Sequence, residues 1–271
     1  MLQPLRILLV GVCYVGFAVV GLLIGWVFVP IASFGVKDEM ERVRRAQRTL
    51  GRCSRFWVWF MTAGGLIRLR RGELPGPLEP GHPAIVVANH PSLLDIFMIV
   101  ATTPGITFVA TASWYDSWLT GRLLRLGRHI RGPTEGAEPM PGETAVLDRI
   151  VAQLRDGYPV MMFPEGTRSP KGGGLRKFRA GAFEAAIRAE VPLWSLLLRV
   201  EPPALAKGQP WWDIPRERTL FSVDVLAVTR PTRADGSARD VARATRTAYA
   251  RALGLPVEDA SSLPMGNASA R

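Results

Sequence analysis

The sequence predicts an α/β fold: a mixed, largely parallel sheet flanked by helices, with membrane helices at the N-terminus. Three observations predict it. A long uncharged apolar run lies within the first 36 residues. Beyond residue 80, short apolar segments alternate with helical patterns, as expected for strands that are buried on both faces. The 271 residues leave room for one such domain and an appendage.

Residues 7–34 form an apolar run that contains no charged side chain. About 20 apolar residues are enough to cross the hydrocarbon core of a bilayer. A secretory signal is the competing interpretation, but its apolar region is usually only about 7–15 residues long. We therefore expect residues 1–36 to form a retained transmembrane or membrane-embedded helix, which Pro30 could end or kink.

The following residues, 37–73, are basic and contain Trp57 and Trp59. They predict an amphipathic helix at the interface with anionic membrane lipids. Arg6 is the only charged side chain before the apolar run and would lie on the other side of the membrane, so the charge asymmetry predicts a cytoplasmic location for the downstream domain. A nucleic-acid patch is the rival explanation for the net charge of +11. No recognition motif accompanies the charge, and we expect no nucleic-acid partner.

Residues 74–81 are rich in Pro and Gly and predict a linker into an α/β domain that covers residues 74–235. Continuous apolar runs predict strands at residues 84–88, 106–110, 158–163 and 193–200. Helical patterns lie at residues 93–100, 117–126, 144–155 and 180–190. The alternating pattern of residues 219–228 predicts an antiparallel or edge strand. Residues 236–256 predict a C-terminal helix, and residues 257–271 a disordered tail.

His90 and Asp95 are the first candidate site residues. Pro91 disfavours helical backbone at His90, and Ser92 is placed to cap a helix that begins at Leu93. His90 would then precede a helix whose first turn carries Asp95. From there the carboxylate could fix the imidazole tautomer and leave the other ring nitrogen free as a base. Ordinary hydrogen-bonded turn chemistry is the alternative interpretation.

A second loop follows the strand predicted at residues 158–163. It contains Glu165, Gly166, Thr167 and Arg168, and then several cations and glycines that include Lys171 and Arg179. Arginine side chains and the backbone N–H groups of a tight turn could bind an anionic headgroup, with Glu165 orienting Arg168 or bonding a substrate hydroxyl. A solvated basic loop is the alternative. Both loops follow strands, where ligands bind in open α/β sheets.

Together the two loops resemble the first and third motifs of the glycerophospholipid acyltransferases. The resemblance rests on Asn89-His90, four residues and Asp95, and on Phe163-Pro164-Glu165-Gly166-Thr167-Arg168. It extends over about residues 84–200. Two further segments are similar to the family's pattern: Val191-Pro192-Leu193 and residues 178–183. The best-known members are the bacterial 1-acylglycerol-3-phosphate acyltransferases.

The resemblance implies acyl transfer from acyl-CoA or acyl-carrier protein to a lysophospholipid hydroxyl, with no cofactor or metal. It implies that His90 is the base and that the 165–168 loop binds the acceptor, with Arg131 and Arg179 as further candidates. The expected location is the cytoplasmic face of the bacterial inner membrane. The acceptor expected first is 1-acyl-sn-glycerol-3-phosphate, which would become phosphatidic acid.

Two departures from the family pattern leave the acceptor open. The second motif usually ends in Ile-Asp-Arg, whereas Arg131 stands one place early, and Thr111 occupies the position of a common lysine. Residues 202–215 are similar to a branch associated with bacterial aryl polyene lipid clusters. A lyso-ornithine lipid or an aryl polyene lipid precursor is therefore an alternative acceptor.

Three alternatives to this enzyme mechanism stay open. His129 is a rival base, expected to be structural or to contact the acceptor. A non-catalytic membrane lipid-binding protein would keep the fold without the chemistry. A hydrolase would use water in place of the acceptor hydroxyl.

Overall fold

The computed structural model describes residues 3–73, 76–103, 105–134, 143–170 and 173–257. The helices are α1 (Gln3–Leu23), α2 (Val29–Ser33), α3 (Glu39–Ala63), α4 (Asp95–Thr102), α5 (Ala112–Tyr115), α6 (Gly121–Leu126), α7 (Glu143–Arg155), α8 (Gly181–Ala189) and α9 (Ala238–Ala252). The strands are β1 (Ile67–Arg71), β2 (Ile85–Ala88), β3 (Thr107–Ala110), β4 (Ile130–Arg131), β5 (Val160–Met162), β6 (Leu193–Glu201) and β7 (Thr219–Thr229). A π-helical turn, Ile24–Phe28, joins α1 to α2, and Arg233–Asp235 form a 3₁₀ turn. The tail predicted beyond residue 257 lies outside the described residues.

The seven strands of the described residues form one sheet in the order β1-β7-β6-β2-β5-β3-β4. The strands from β6 to β4 are parallel to one another, whereas β7 is antiparallel to β6 and parallel to β1. The mixed, largely parallel sheet is therefore confirmed. Strands β2 and β5 are neighbours, with Val87 opposite Met162. Their carboxyl ends consequently lie side by side, and the two candidate loops leave the sheet together.

The central strand β2 is fully buried, as its apolar run predicts. All four residues of β2 are 0% exposed. One face of the sheet packs against a cluster that includes Met98 of α4, and the other against a cluster that includes Phe183 of α8 and Tyr249 of α9. The Tyr249 hydroxyl lies 3.0 Å from the Val87 carbonyl oxygen and 2.9 Å from that of Leu196. This contact fixes the C-terminal helix against the end of β2.

The prediction of one helix over residues 37–73 is wrong at its C-terminal end. Helix α3 ends at Ala63, and Ile67–Arg71 form strand β1, which pairs with β7. Gly65 adopts a φ of +70°, a left-handed conformation that glycine accepts without a steric penalty. The chain turns there and adds a strand to the sheet. The sequence predicts residues 219–228 as an antiparallel or an edge strand. Strand β7 is antiparallel to β6, but it is not an edge strand, because β1 pairs with its other side.

Helix α3 is amphipathic in the structure. Val43, Val58 and Met61 are buried on one side, whereas Phe56 and Trp59 are 54% and 61% exposed. Asp38 caps the helix by accepting a hydrogen bond from the Glu41 backbone N–H at 2.8 Å. The exposed aromatic residues share the helix with several arginines, as expected of an interfacial helix.

The helical run Gln3–Ser33 is long and apolar enough to cross a membrane, by length and composition alone. Its N-terminal part nevertheless packs on the α/β domain. The Arg6 guanidinium is buried and donates to the carbonyl oxygens of Gly65 at 2.9 Å and Glu217 at 2.7 Å. Phe17 meets Phe97 of α4 edge to face, with ring centroids 4.9 Å apart. The expectation that Arg6 lies across a bilayer from the domain is therefore wrong.

Candidate functional site

His90 and Asp95 are in contact at the carboxyl end of β2. His90 Nδ1 lies 2.8 Å from Asp95 Oδ2, and the same oxygen accepts a hydrogen bond from the Ser92 backbone N–H at 2.7 Å. The helix begins at Asp95, two residues later than expected, with Leu94 at the N-cap position. The Ser92 hydroxyl does not cap it in the expected way: it accepts from the Leu94 N–H at 3.3 Å and donates to the Ala204 carbonyl at 2.8 Å.

Asp95 is completely buried, and its environment suits a carboxylate that orients another group. Burial raises its pKa, while the hydrogen bonds from His90 and the Ser92 backbone act in the opposite direction. Its second oxygen, Oδ1, is buried and has no hydrogen-bond partner within the described part of the chain. Within the described residues, the hydrogen bonds to this carboxylate therefore converge on the oxygen that faces His90.

The His90 ring packs against an aromatic side chain on one face and is partly exposed to solvent. It stacks on Phe163 with ring centroids 3.8 Å apart and an interplanar angle of 11°. Its side chain is 18% exposed. With Nδ1 directed at Asp95, the nitrogen that can meet a substrate is Nε2. The arrangement is that of a general base with its orienting carboxylate.

Glu165 has a different role from the one expected. It is 4% exposed, and its Oε1 accepts hydrogen bonds from the His90 backbone N–H at 3.0 Å and the Ser169 hydroxyl at 2.7 Å. Its Oε2 accepts from the Arg176 backbone N–H at 2.9 Å. Glu165 therefore ties the two loops together instead of orienting the Arg168 guanidinium or facing a substrate. The Ser169 N–H completes the tie by donating to the His90 carbonyl at 2.7 Å.

The remaining residues of the second loop, Gly166, Thr167 and Arg168, contact residues outside it. Gly166 has a φ of +71°, and the Arg179 Nε lies 2.8 Å from the point where a Cβ would stand. A side chain at this position would therefore be strained and would displace the Arg179 guanidinium. The Thr167 hydroxyl accepts a hydrogen bond from Lys207 Nζ at 2.9 Å. Arg168 Nη1 donates to the carbonyl of Leu205 at 3.1 Å.

Arg131 is engaged elsewhere. Its guanidinium binds Asp116 in a bidentate manner: Nε donates to Oδ1 at 3.0 Å and Nη2 to Oδ2 at 2.7 Å. This pairing holds the pKa of Asp116 below its usual range. Strand β4 lies three positions from β2 in the sheet, about 14 Å at the usual strand spacing. The structure thus keeps Arg131 apart from the His90 loop, and Lys171 lies outside the described residues.

His129 is structural, which removes the rival base. It is 3% exposed, and its Nδ1 accepts the backbone N–H of Phe108 at 3.1 Å. Burial lowers its pKa to about 3. A histidine that is sealed from solvent and already accepts a backbone hydrogen bond does not offer a base to a substrate.

Three contributors to the site were not assigned from the sequence. Asn89 both donates to the Leu198 carbonyl and accepts from its N–H, each at 2.8 Å, which locks the end of β2 to β6. Phe163 supports the His90 ring, and Lys207 reaches Thr167 from a distant loop. The position of Asn89 and Phe163 inside the two motifs was the available signal. Within the described residues, no group of three or more His, Cys, Asp or Glu side chains could hold a metal ion.

The geometry defines a class of α/β protein in which an oriented histidine base adjoins a cationic loop at the carboxyl edge of a parallel sheet. A family model described as Acyltransferase matches residues 74–199, which include both loops. Residues 74–199 therefore match the acyltransferase family, in agreement with the resemblance of the two loops to the glycerophospholipid acyltransferases.

Curated relatives agree with this assignment. The chain is 30% identical over 151 residues to a 1-acyl-sn-glycerol-3-phosphate acyltransferase of Limnanthes alba, covering 54% of this chain and 52% of the relative. It is 27% identical over 190 residues to the human 1-acyl-sn-glycerol-3-phosphate acyltransferase alpha, covering 58% and 62%. The chain thus spans about half the length of the first of these relatives.

The fold extends beyond the aligned sequence. The crystal structure of the 1-acyl-sn-glycerophosphate (LPA) acyltransferase PlsC from Thermotoga maritima superposes with a TM-score of 0.73 at 19% sequence identity. The superposition covers 93% of this chain and 97% of that one. At this identity the likeness establishes the fold, and it includes the N-terminal helices as well as the α/β domain.

Proposed function

We propose that the protein is a membrane-bound O-acyltransferase that moves a fatty acyl group from acyl-CoA or acyl-carrier protein to the hydroxyl of a lysophospholipid. The proposed reaction converts 1-acyl-sn-glycerol-3-phosphate to phosphatidic acid. The observation that carries the proposal is the 2.8 Å contact between His90 Nδ1 and buried Asp95, which directs Nε2 outward beside a cationic loop. The relatives' names supply the substrate class.

In the proposed mechanism, His90 Nε2 takes the proton of the acceptor hydroxyl as its oxygen attacks the thioester carbonyl. Asp95 holds the Nδ1–H tautomer and stabilises the imidazolium that forms. Collapse of the tetrahedral intermediate breaks the carbon–sulfur bond, and the departing thiolate receives the proton from His90. The products are the acylated lipid and the free thiol. General-base help of this kind contributes roughly 10²–10⁴ in rate.

We propose that the protein attaches to the membrane while helix α1 stays packed against the α/β domain. Because Arg6 binds backbone carbonyls of the domain, α1 lies along it and exposes apolar side chains such as Leu8 and Val15. Ile31 of α2 is exposed as well. Phe56 and Trp59 of α3 extend this apolar surface with arginines beside them. Such a surface suits one leaflet of an anionic membrane. The proposed location is the cytoplasmic face of the bacterial inner membrane.

The test is acyl transfer by purified protein with labelled acyl-CoA or acyl-carrier protein and a panel of acceptors. The panel contains lysophosphatidic acid, lyso-ornithine lipid, glycerol 3-phosphate and an aryl polyene glycolipid precursor. We expect the fastest transfer to lysophosphatidic acid. Faster transfer to another acceptor would reassign the substrate while keeping the reaction.

A matched pair of histidine variants tests the base. His90→Ala should lower turnover by roughly 10²–10⁴ without unfolding the protein or releasing it from vesicles. His82→Ala removes an exposed histidine outside the site and should leave turnover unchanged. A folded His90→Ala protein with full activity would contradict the proposed mechanism.

A further inference from the structure

The connection between β6 and β7, residues 202–218, is hydrogen-bonded to both candidate loops. On the His90 side, the Leu93 N–H donates to the Leu205 carbonyl at 3.1 Å, and the Ser92 hydroxyl donates to the Ala204 carbonyl. On the other side, Arg168 Nη1 donates to the same Leu205 carbonyl. Leu205 itself has a φ of +53°. Ala204 and Leu205 of this connection therefore accept hydrogen bonds from both loops.

These bonds place Lys207 at the anion-binding loop. Its Nζ donates to Thr167 Oγ1 at 2.9 Å, two residues from Glu165, whose carboxylate binds the His90 backbone. The side chain is half-buried. An ammonium group carries three N–H donors and acts as a compact point charge toward phosphate. Lys207 therefore brings a positive charge from a distant segment to the Gly166–Thr167 turn.

The other candidate cations are less well placed to receive an anion. Arg131 is bound to Asp116 on a strand three positions away, and Thr111 is uncharged. Arg168 uses Nη1 to hold the connection, through the Leu205 carbonyl and the one that follows it. Arg179 lies against Gly166 and is exposed. Lys207 is half-buried beside the turn, as Arg168 is, and it reaches the turn from outside the two loops.

We propose that Lys207 is a specificity-determining residue that binds the phosphate of the acceptor, with Thr167 positioning its ammonium group. This inference rests on the proposed acyl transfer to a phosphate-bearing lysolipid and names the group that selects it. A phosphate lies only a few bonds from the reacting hydroxyl in such a lipid. A cation at the 165–168 loop would therefore anchor the acceptor while His90 meets the hydroxyl.

Binding is measured first, in a form that does not depend on turnover. The His90→Ala protein, with and without Lys207→Met, is titrated with lysophosphatidic acid and with neutral monoacylglycerol in mixed micelles. Loss of a charge-assisted contact should weaken lysophosphatidic acid binding roughly 10- to 100-fold and leave monoacylglycerol binding unchanged. Lys207→Arg should restore most of the affinity, and Thr167→Val should lose part of it.

Kinetics of the otherwise unchanged protein separate this inference from the proposed function. Lys207→Met should raise KM for lysophosphatidic acid by a similar factor with a smaller effect on kcat, because His90 is intact. Arg239→Met is the matched control, since this exposed arginine of α9 lies ten residues, about 15 Å of helix, from the end that contacts β2.

Two results would overturn the role of Lys207. One is equal binding of lysophosphatidic acid by folded proteins with and without Lys207→Met. The other is an intact Lys207 protein that binds lysophosphatidic acid no better than monoacylglycerol. Absence of acyl transfer by the wild-type protein would instead contradict the proposed function, and the binding measurement would still decide the role of Lys207.

Discussion

Replacing Asp95 by Asn should separate activity from stability. Oδ2 of Asp95 accepts from His90 Nδ1 at 2.8 Å and the Ser92 N–H at 2.7 Å. An asparagine oxygen could accept both bonds, but it carries no charge to stabilise the imidazolium. Its amide group would lie at the position of Oδ1, which is buried and accepts no hydrogen bond from the described residues. We expect kcat to fall by about 10²–10⁴, the range of general-base catalysis.

Although Asp95→Asn lowers activity, it should raise the stability of the folded protein at neutral pH. Burial raises the pKa of Asp95 above the usual value of 3.8, so the folded state retains this proton to higher pH than the unfolded state. The favourable contribution is complete below pH 3.8 and is lost as pH rises through the folded pKa. Relief of a buried charge, worth several kcal/mol, should exceed the roughly 1–3 kcal/mol cost of an unpaired buried amide.

Thermal unfolding and steady-state kinetics between pH 4 and 8 would test both expectations. The difference in Tm, wild type minus Asp95→Asn, should fall as pH rises. The kcat of Asp95→Asn should stay far below that of wild type throughout this pH range. Asp148→Asn is the control, because its side chain is 68% exposed and its ion pair with Arg188 is a surface pair of little energetic weight. An Asp95→Asn protein with near-wild-type kcat would refute the proposed role of the carboxylate.

Three further predictions concern residues around the site. Glu165→Gln should destabilise the protein by about 1–3 kcal/mol and lower kcat, since three donors converge on the buried carboxylate; chemical denaturation and kinetics would show it, and unchanged values would contradict the tie between the loops. Burial lowers the pKa of His129 to about 3, so the wild-type protein should lose stability as pH falls from about 6.5 toward 3. His129→Asn can still accept the Phe108 N–H and should show a smaller loss of stability over this pH range. Tm measured against pH would show the difference, and a profile identical to that of wild type would contradict it. Gly16→Val should loosen α1 from α3, because a Cβ would stand 2.6 Å from the Trp57 ring; faster proteolysis of the N-terminal helix is expected, and an unchanged cleavage rate would argue against this packing.

The fold was largely predictable because its strands are short apolar runs bounded by polar loops. Strand β2 and its neighbours follow from that pattern, and so does the common edge at which His90 and Glu165 emerge. Strand β1 was missed because Arg68, Arg70 and Arg71 gave it the charge of an interfacial helix. Its pairing with β7 depends on a residue some 150 positions away, which local periodicity does not contain.

The site was predictable where function depends on neighbouring residues. Pro91 and the five-residue spacing placed His90 beside Asp95, although the helix begins later than expected. The role of Glu165 could not be derived, since its donors come from three separate backbone and hydroxyl groups. Lys207 could not be derived either, because a tertiary contact over 40 positions brings it to Thr167.

The stoichiometry of one reaction tests the central claim most directly. Purified protein is given acyl-CoA and lysophosphatidic acid, and thiol release, phosphatidic acid and free fatty acid are measured together. We predict thiol release only when the acceptor is present, one phosphatidic acid for each thiol, and loss of both products in His90→Ala. Free fatty acid in place of phosphatidic acid would indicate a hydrolase, and lipid binding without thiol release would indicate a non-catalytic protein; either result would contradict the account.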